Sequence, residues 1–436
     1  MLVDGEHHPS AVRAALEALR DSGDEIIGAV FCGGTEKVDL ERLDEAYGVA
    51  VARGEDRGED LSTVLGEAIG EWKPEAVLDL TDHPVLTAAD RFRLAVAALM
   101  RNVPYRGADF ELKPPVFERI LTKPSIRVFA TGKRTGKTAV ASALARRAVQ
   151  RGLRPVIVAV GRGGPHPPRV IEPGTRLDAH ALLEMADAGY HAGSDYVEDA
   201  LTSGVTTIGC LRVGGGLAGA TVYSNVPDAA RLAEARDEDL VVLEGSGASL
   251  PDVDADVGVV CVPASIDPAE LDAYLGPYRL LLADVAVVTM AEEASAAAAT
   301  EAAIRGTVPD LDVLHVAFRP EPLESVAGRR VFFCSTAPAE ASPVLVQHLE
   351  QVHGCEVVGV TNRLSDRAIL SRELEAAPPY DVLLTELKAA AVDVAARHAL
   401  GLGKDVVFAN NALVGNGVEE VFDRAIDRAI DARVDE

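Results

Sequence analysis

Aromatic residues are scarce in this 436-residue chain, at 4% of positions, and Ala, Val and Leu carry most of its apolar content. That balance disfavours a β-sandwich core and favours strands alternating with helices. Cysteine is thin as well: Cys32, Cys210, Cys261, Cys334 and Cys355 are scattered, with no C-x-x-C pair. The scatter argues against a cysteine zinc site and against a disulfide framework, and the five read as reduced, small hydrophobes. No apolar run reaches membrane-spanning length and no charged-then-apolar leader opens the chain, so a cytoplasmic location without a membrane partner is expected. Positive charge is also short. Lys and Arg number 42 against 68 Asp and Glu, a formal net charge of −26, which argues against a nucleic-acid surface. An anionic ligand must then be gathered by a local cluster of cations and backbone donors, while the acidic bulk serves solubility.

Lysine is the rarer cation, eight residues against 34 arginines, yet two lysines fall within five residues in Ala130-Thr131-Gly132-Lys133-Arg134-Thr135-Gly136-Lys137-Thr138. The run follows a short apolar strand expected over Ile126 to Phe129. It opens an Ala- and Arg-rich helix from Lys137 to Arg151, stopped by Gly152. Strand, loop and helix in this order are the setting of a phosphate-binding loop: glycines let N–H groups turn inward, and the helix N-terminus adds partial positive charge. On that reading Gly132, Thr135, Gly136, Lys137 and Thr138 hold ATP, with Lys137 on the β- and γ-phosphates and the Thr138 hydroxyl on Mg²⁺. The usual Walker A spacing would place a glycine where Thr131 stands. The run fits a longer form, G-x-x-x-x-x-G-K-T, with Ala130 in place of the first glycine. The competing reading is a glycine-rich helix entry without a ligand.

The length exceeds what one hydrophobic core supports, so two or three domains are expected. Residues 1–122 read as an N-terminal Rossmann-like α/β domain, with strands at 1–3, 25–31 and 76–80 and helices at 9–22, 60–72 and 85–100. Four prolines mark Pro104 to Pro124 as a linker. Residues 123–436 read as a P-loop ATP-binding catalytic domain with a mostly parallel sheet, and a C-terminal α/β lobe is expected over 330–436. Strands are expected at 126–129, 156–160, 240–243, 257–262, 285–289, 313–318, 330–334, 356–360, 382–385 and 405–408.

The run Leu240-Val241-Val242-Leu243-Glu244-Gly245-Ser246-Gly247 is an apolar strand ending in an acid. Such a strand is buried on both faces, and its carboxyl end lies where parallel sheets bind ligands. Glu244 is therefore the second Mg²⁺ residue beside Thr138. Between the two motifs lie Gly161-Arg162-Gly163-Gly164, Arg169, and Arg212 followed by Gly214-Gly215-Gly216. Arg162, Arg169 and Arg212 are candidates to clamp a second anionic substrate, against the plainer reading of three surface salt bridges. His191 and Asp195, four apart, would share a helix face. A surface hydrogen bond explains them more simply than a metal pair or proton relay, and neither is assigned to catalysis. Near the start, Asp4-Gly5-Glu6-His7-His8-Pro9, Gly33-Gly34-Thr35-Glu36-Lys37 and Asp79-Leu80-Thr81-Asp82-His83-Pro84 follow successive strands. They either converge into a pocket or serve turn chemistry and helix capping.

Together these phrases resemble one family, the cyclic 2,3-diphosphoglycerate synthetases of archaea and bacteria. The resemblance is carried by Asp4-Gly5-Glu6-His7, Gly33-Gly34-Thr35-Glu36-Lys37, Gly132 to Thr138, Ser194-Asp195-Tyr196, Gly214-Gly215-Gly216-Leu217-Ala218-Gly219, Glu244-Gly245-Ser246-Gly247 and Thr385-Glu386-Leu387-Lys388-Ala389-Ala390. They run in order along nearly the whole chain. The phosphate loop and the Glu-Gly pair by themselves are less specific, since dethiobiotin synthetases share them.

The resemblance implies an ATP-dependent ligase that closes 2,3-diphosphoglycerate into its cyclic pyrophosphate, releasing ADP and phosphate. That chemistry needs no protein nucleophile and suits a chain without an evident Ser–His or Cys–His pair. Cation clamping and positioning would supply the catalysis. Lys137 and Mg²⁺ would hold ATP, Lys133 and Arg134 would face the transferring group, and the three arginines would face the substrate. The N-terminal domain then completes the pocket or makes a homodimer contact. Rival readings are a P-loop small-molecule kinase, such as one acting on 2-phosphoglycerate, or another dethiobiotin-synthetase-like ligase. Release of free phosphate separates the ligase from the kinase. A partitioning-type nucleotide switch is disfavoured by the acidic tail from Val418 to Glu436, which is no basic amphipathic anchor.

Overall fold

The computed structural model describes residues 1–54, 60–273 and 275–434, and the chain divides into two compact units. One comprises Met1–Pro115 with Asp267–Leu282, the other Val116–Ile266 with Ala283–Glu436. The last two residues of the acidic tail, Asp435 and Glu436, lie outside the described residues.

In the first unit β1 (Leu2–Val3), β2 (Ala29–Phe31) and β3 (Val51–Ala52) pair in parallel. β4 (Val77–Leu78) runs parallel to β5 (Tyr105–Arg106), which pairs antiparallel with β6 (Glu111–Leu112). A parallel bridge between Leu2 and Asp79 joins the two groups. Helices Pro9–Asp21, Leu61–Trp72 and Ala88–Leu99 connect the parallel strands; the last starts on a capping box between Thr87 and Asp90. The linker expected over 104–124 thus begins as sheet. Tyr105 is fully buried there and donates its hydroxyl to Asp79 at 2.8 Å. Helices Pro268–Ala273 and Gly276–Leu281 also belong to this unit, although the chain reaches them late. A division at 122 does not contain that return.

The second unit holds β7 (Ser125–Ala130), β8 (Pro155–Gly161), β9 (Arg169–Ile171), β10 (Thr206–Val213), β11 (Tyr223–Ser224), β12 (Leu240–Glu244), β13 (Val257–Pro263), β14 (Val285–Thr289) and β15 (Asp312–His315). Their order is β11-β10-β8-β12-β7-β13-β14-β15, with β9 also on β10. β9 and β11 run antiparallel to β10, and the other pairs are parallel. Every residue of β7, β8, β12 and β14 is buried, which is why β8, β12 and β14 stand out as apolar runs, while β7 carries the buried polar Ser125 and Arg127 among its apolar residues. β10 was not among the expected strands, because Thr206, Thr207 and Gly209 interrupt its apolar pattern.

A second sheet of β16 (Ala317–Pro322), β17 (Arg330–Cys334), β18 (Glu356–Thr361), β19 (Val382–Glu386) and β20 (Asp405–Val414) has the order β16-β20-β19-β17-β18. The strand expected over 313–318 is therefore two strands in two sheets. The break falls at Val316, whose N–H still bonds Val288 while Ala317 already pairs with Val414. The C-terminal lobe starts at Ala317, ahead of Arg330. From it the helix Val418–Val434 returns to the first sheet. Its buried Val421, Phe422, Ala425, Ile426 and Ala429 join the core of β7 and the helix Lys137–Gln150 at the spacing of one helix face. Arg147 binds Asp423 through two bonds of 2.8 and 2.6 Å. Among the described residues no helix is long and apolar enough to cross a membrane.

All five cysteines are buried and free. Burial pushes the Cys32 and Cys261 thiols up to about 12, so thiolate is negligible at neutral pH. A thiol reagent at pH 8 is expected to label none of them in the native protein and all five in guanidinium. Rapid labelling of any one in the native state would contradict this burial.

Candidate functional site

β7 ends at Ala130, and the chain turns through 131–136 into the helix Lys137–Gln150. Ala130 is fully buried and pairs in register with Cys261. It is the last residue of the strand and not part of the turn, so its methyl group is accommodated. The N-cap Gly136 has φ 83°, and a Cβ there would lie 2.3 Å from the ring of Phe318. Only glycine fits both conditions. Arg134 at the tip holds φ 60° without being glycine, a conformation that costs free energy and clusters at functional loops. The Thr289 hydroxyl of β14 donates to the Thr135 carbonyl at 2.9 Å and braces the turn. Lys133 and Arg134 are exposed at its tip.

Lys137 is buried under this loop, its Nζ donating to the Gly132 carbonyl at 3.1 Å and the Thr135 hydroxyl at 3.4 Å. Burial lowers its pKa below that of an ordinary lysine, opposed by the charge of Glu244. Glu244 closes β12 level with Val128 of β7 and Ala159 of β8. Its Oε1 accepts the Thr138 hydroxyl at 2.7 Å. Burial and the charge of Asp195 push the Glu244 carboxyl up to about 6, which leaves it ionised at neutral pH. Asp199, also fully buried, meets it in a carboxyl–carboxylate contact and takes a hydrogen bond of 2.9 Å from the Ser142 hydroxyl. Burial and the Glu244 charge hold Asp199 far above the usual carboxylate range. Asp199 is therefore the more readily protonated member of the pair.

The helix Asp195–Ser203 presents Asp195, Glu198 and Asp199 at a spacing that shares one face. His191 is not on that helix, contrary to the shared face expected for it and Asp195. It lies in the preceding turn, 3.0 Å from where a Cβ on Gly163 would stand. Asp195, which the sequence reading set aside, stands at the carboxyl edge of β8, its Oδ2 3.8 Å from a Cβ built on Gly161. Its charge bears on Lys137, Glu198 and Glu244. The acids at i, i+3 and i+4, Asp195, Glu198 and Asp199, were the available signal; their burial was not. A second lysine arrives from the C-terminal lobe. Lys388, just past β19, has its Nζ 3.1 Å from Glu198 Oε1, and in the sequence it stood only within the family resemblance.

Arg212 lies near the end of β10, buried, with its guanidinium donating to the Ser246 carbonyl at 2.8 Å and the Gly214 carbonyl at 3.0 Å. Arg162 follows β8 and is exposed. A Cβ on Gly247 would meet Arg162 Nη2 at 2.6 Å and Arg212 Nη2 at 3.0 Å, so both guanidiniums border the glycine turn that follows Glu244. Burial and the Arg162 charge lower the Arg212 pKa. Arg169 is not brought to this pair. It sits 5.1 Å above the Tyr190 ring and bonds toward the Tyr196 hydroxyl.

In the first unit the three polar turns do converge, and they consume their own polar groups. Buried Asp4 accepts the Asp82 N–H at 3.0 Å and the His7 ring at 2.9 Å, and His7 reaches Asp82 at 3.2 Å. Lys37 Nζ donates to the Glu6 carbonyl at 2.6 Å.

A parallel sheet with a phosphate loop after one strand and a buried carboxylate ending its neighbour defines a P-loop nucleotide-binding enzyme. Comparison with known proteins narrows the class. Residues 1–113 match the family described as "Cyclic 2,3-diphosphoglycerate synthetase, N-terminal domain", residues 125–316 its P-loop domain and residues 322–412 its C-terminal domain. The cyclic 2,3-diphosphoglycerate synthetase of Rubrobacter xylanophilus is 44% identical over 96% of this chain and 94% of its own. That of Methanothermus fervidus is 40% identical over 99% and 97%, and that of Methanothermobacter thermautotrophicus 41% identical over 98% and 94%. The chain belongs to the cyclic 2,3-diphosphoglycerate synthetase family.

Proposed function

We propose that this chain uses ATP to close 2,3-diphosphoglycerate into its cyclic phosphoanhydride, releasing ADP and phosphate. The observation that carries the reading is the buried Lys137–Thr138–Glu244 constellation at the carboxyl edge of β7 and β12, in a chain of this family. One substrate phosphate oxygen attacks the γ-phosphorus, whose bond to the β–γ bridging oxygen breaks to release ADP. The second substrate phosphate then attacks the first substrate phosphorus and expels the transferred group as inorganic phosphate.

Lys137 holds the β- and γ-phosphates, helped by the N–H groups of Gly132 to Thr138. Lys133 and Arg134 at the tip neutralise the transferring group. The Thr138 hydroxyl and the ionised Glu244 carboxylate, adjacent and buried, fit Mg²⁺, which takes one or two carboxylates and leaves its other positions to phosphate oxygens. When bound, the ion supplies neutralising charge to the phosphate oxygens. Asp199, through its contact with Glu244, holds that carboxylate in orientation. Arg162 and Arg212 clamp the second substrate, whose phosphates and carboxylate would otherwise be repelled by a chain of net charge −26. Arg169, occupied with Tyr190 and Tyr196, is assigned no substrate contact. The same net charge and the apolar pattern fit a cytoplasmic enzyme with small-molecule partners and no nucleic acid.

A phosphorus NMR time course with ATP, Mg²⁺ and 2,3-diphosphoglycerate tests the reaction; the expected result is a cyclic pyrophosphate signal rising with free phosphate. Transfer without phosphate release would replace the ligase by a kinase. Because Arg162 is exposed, Arg162→Ala is expected to keep the fold. It should raise the KM for 2,3-diphosphoglycerate about tenfold or more, the worth of one charge-assisted hydrogen bond. The KM for ATP should move less than about threefold. Equal changes in both would remove the clamp from the substrate.

A further inference from the structure

We infer that Lys388, delivered by the C-terminal lobe, is a phosphate-contacting residue of the P-loop site, its ammonium exchanging Glu198 for the γ-phosphate of ATP. The inference rests on the ATP reading of the loop and adds a residue to it.

The turn that carries Lys388 is held firmly. Glu386 at the end of β19 accepts the Ser335 and Thr336 hydroxyls, each at 2.7 Å. Ala389 adopts φ 50° although it is not glycine, a conformation that persists only where the surroundings enforce it. Its carbonyl would lie 3.1 Å from a Cβ on Gly193, so the turn is pressed against the residues that start the helix Asp195–Ser203. From this seat the side chain reaches Glu198 Oε1 at 3.1 Å. Lys388 feels the charge of Asp195, and its own charge bears on Lys137. The two ammoniums therefore belong to one electrostatic cluster with Asp195, Glu198 and Glu244. Lys137 comes from the loop and Lys388 from the second sheet.

The pair is poorly suited to a purely structural latch. Glu198 is buried, whereas the Lys388 side chain is 28% exposed, and a buried ion pair contributes little net stability. Burial raises the Glu198 carboxyl and the Lys388 ammonium opposes that rise, so departure of the ammonium shifts Glu198 further toward its neutral acid. Burial disfavours the Lys388 charge, yet Glu198 and Glu386 outweigh it and keep the ammonium protonated. An incoming phosphate is a stronger acceptor for that ammonium than a carboxylate ready to protonate.

The experiment compares ATP and ADP affinity by calorimetric titration, with cyclic product formation, in the full-length wild type, Lys388→Met, Lys388→Arg and Glu198→Gln. Loss of a γ-phosphate contact is expected to weaken ATP at least tenfold in Lys388→Met while ADP moves less than threefold. Product formation should fall about 100-fold, and Lys388→Arg should recover part of both. Glu198→Gln should keep the preference for ATP over ADP, because only the resting partner is lost. A latch predicts the opposite: Glu198→Gln as damaging as Lys388→Met, with both nucleotides affected alike. That result overturns the inference, as does an unchanged ATP-to-ADP ratio in Lys388→Met. Should wild type bind ATP over ADP through Lys388 yet form no cyclic product, the inference stands and the ligase reading falls.

Discussion

Lys137→Ala is expected to lower 2,3-diphosphoglycerate-dependent phosphate release by at least about 10³-fold, some 4 kcal/mol of transition-state stabilisation. The magnitude follows from where the cation sits. Its Nζ has only a carbonyl and a hydroxyl for company within the loop, and burial depresses its pKa. A desolvated ammonium acts on a phosphate far more strongly than one in water. The same burial makes the residue an energetic burden on the empty protein, so its removal should not unfold the chain. A melting temperature within about 3 °C of wild type is expected, with Lys137→Met as the control that keeps the aliphatic stem. Phosphate release and a melting curve on the same preparation check both halves. Undiminished turnover with an intact fold would end the assignment of this loop.

Glu244→Gln should lower turnover about 100-fold and raise the Mg²⁺ concentration for half-maximal rate about tenfold. Glutamine keeps the shape and can still accept the Thr138 hydroxyl, now at 2.7 Å. What disappears is the charge, and two consequences follow. The site loses its anionic ligand for the ion, and Lys137 loses the charge that opposes the lowering of its pKa by burial. A Mg²⁺ titration superimposable on wild type would remove Glu244 from the metal site, and a rate loss without a Mg²⁺ shift would leave it acting through Lys137 alone.

The elements that announce themselves in the sequence are those buried on both faces. β8, β12 and β14 are apolar almost throughout and β7 is so around Ser125 and Arg127, so these runs mark both the strands and the functional ends that follow them. β10 escaped notice because threonine and glycine are tolerated where α-helical neighbours cover the strand: Gly209 faces the Tyr196 ring, where a Cβ would lie 2.4 Å from it. With β10 went the means of placing Arg212. The short strands Tyr105–Arg106 and Glu111–Leu112 were hidden among prolines, because two-residue pairings carry no periodicity.

From the sequence itself came the phosphate loop, the acid at the end of Leu240–Glu244, the α/β class and the family. These depend on local patterns, a turn of glycines, an unbroken apolar run and the phrases that flank them. Tertiary structure alone decided which distant groups share the site. Asp199 matters through its contact with Glu244, Lys388 through a bridge to Glu198 between two sheets, and Arg162 and Arg212 through a glycine turn that belongs to neither. The physical reason is common to all of them. Electrostatic interaction depends on separation and burial in space, and a linear pattern of residues records neither.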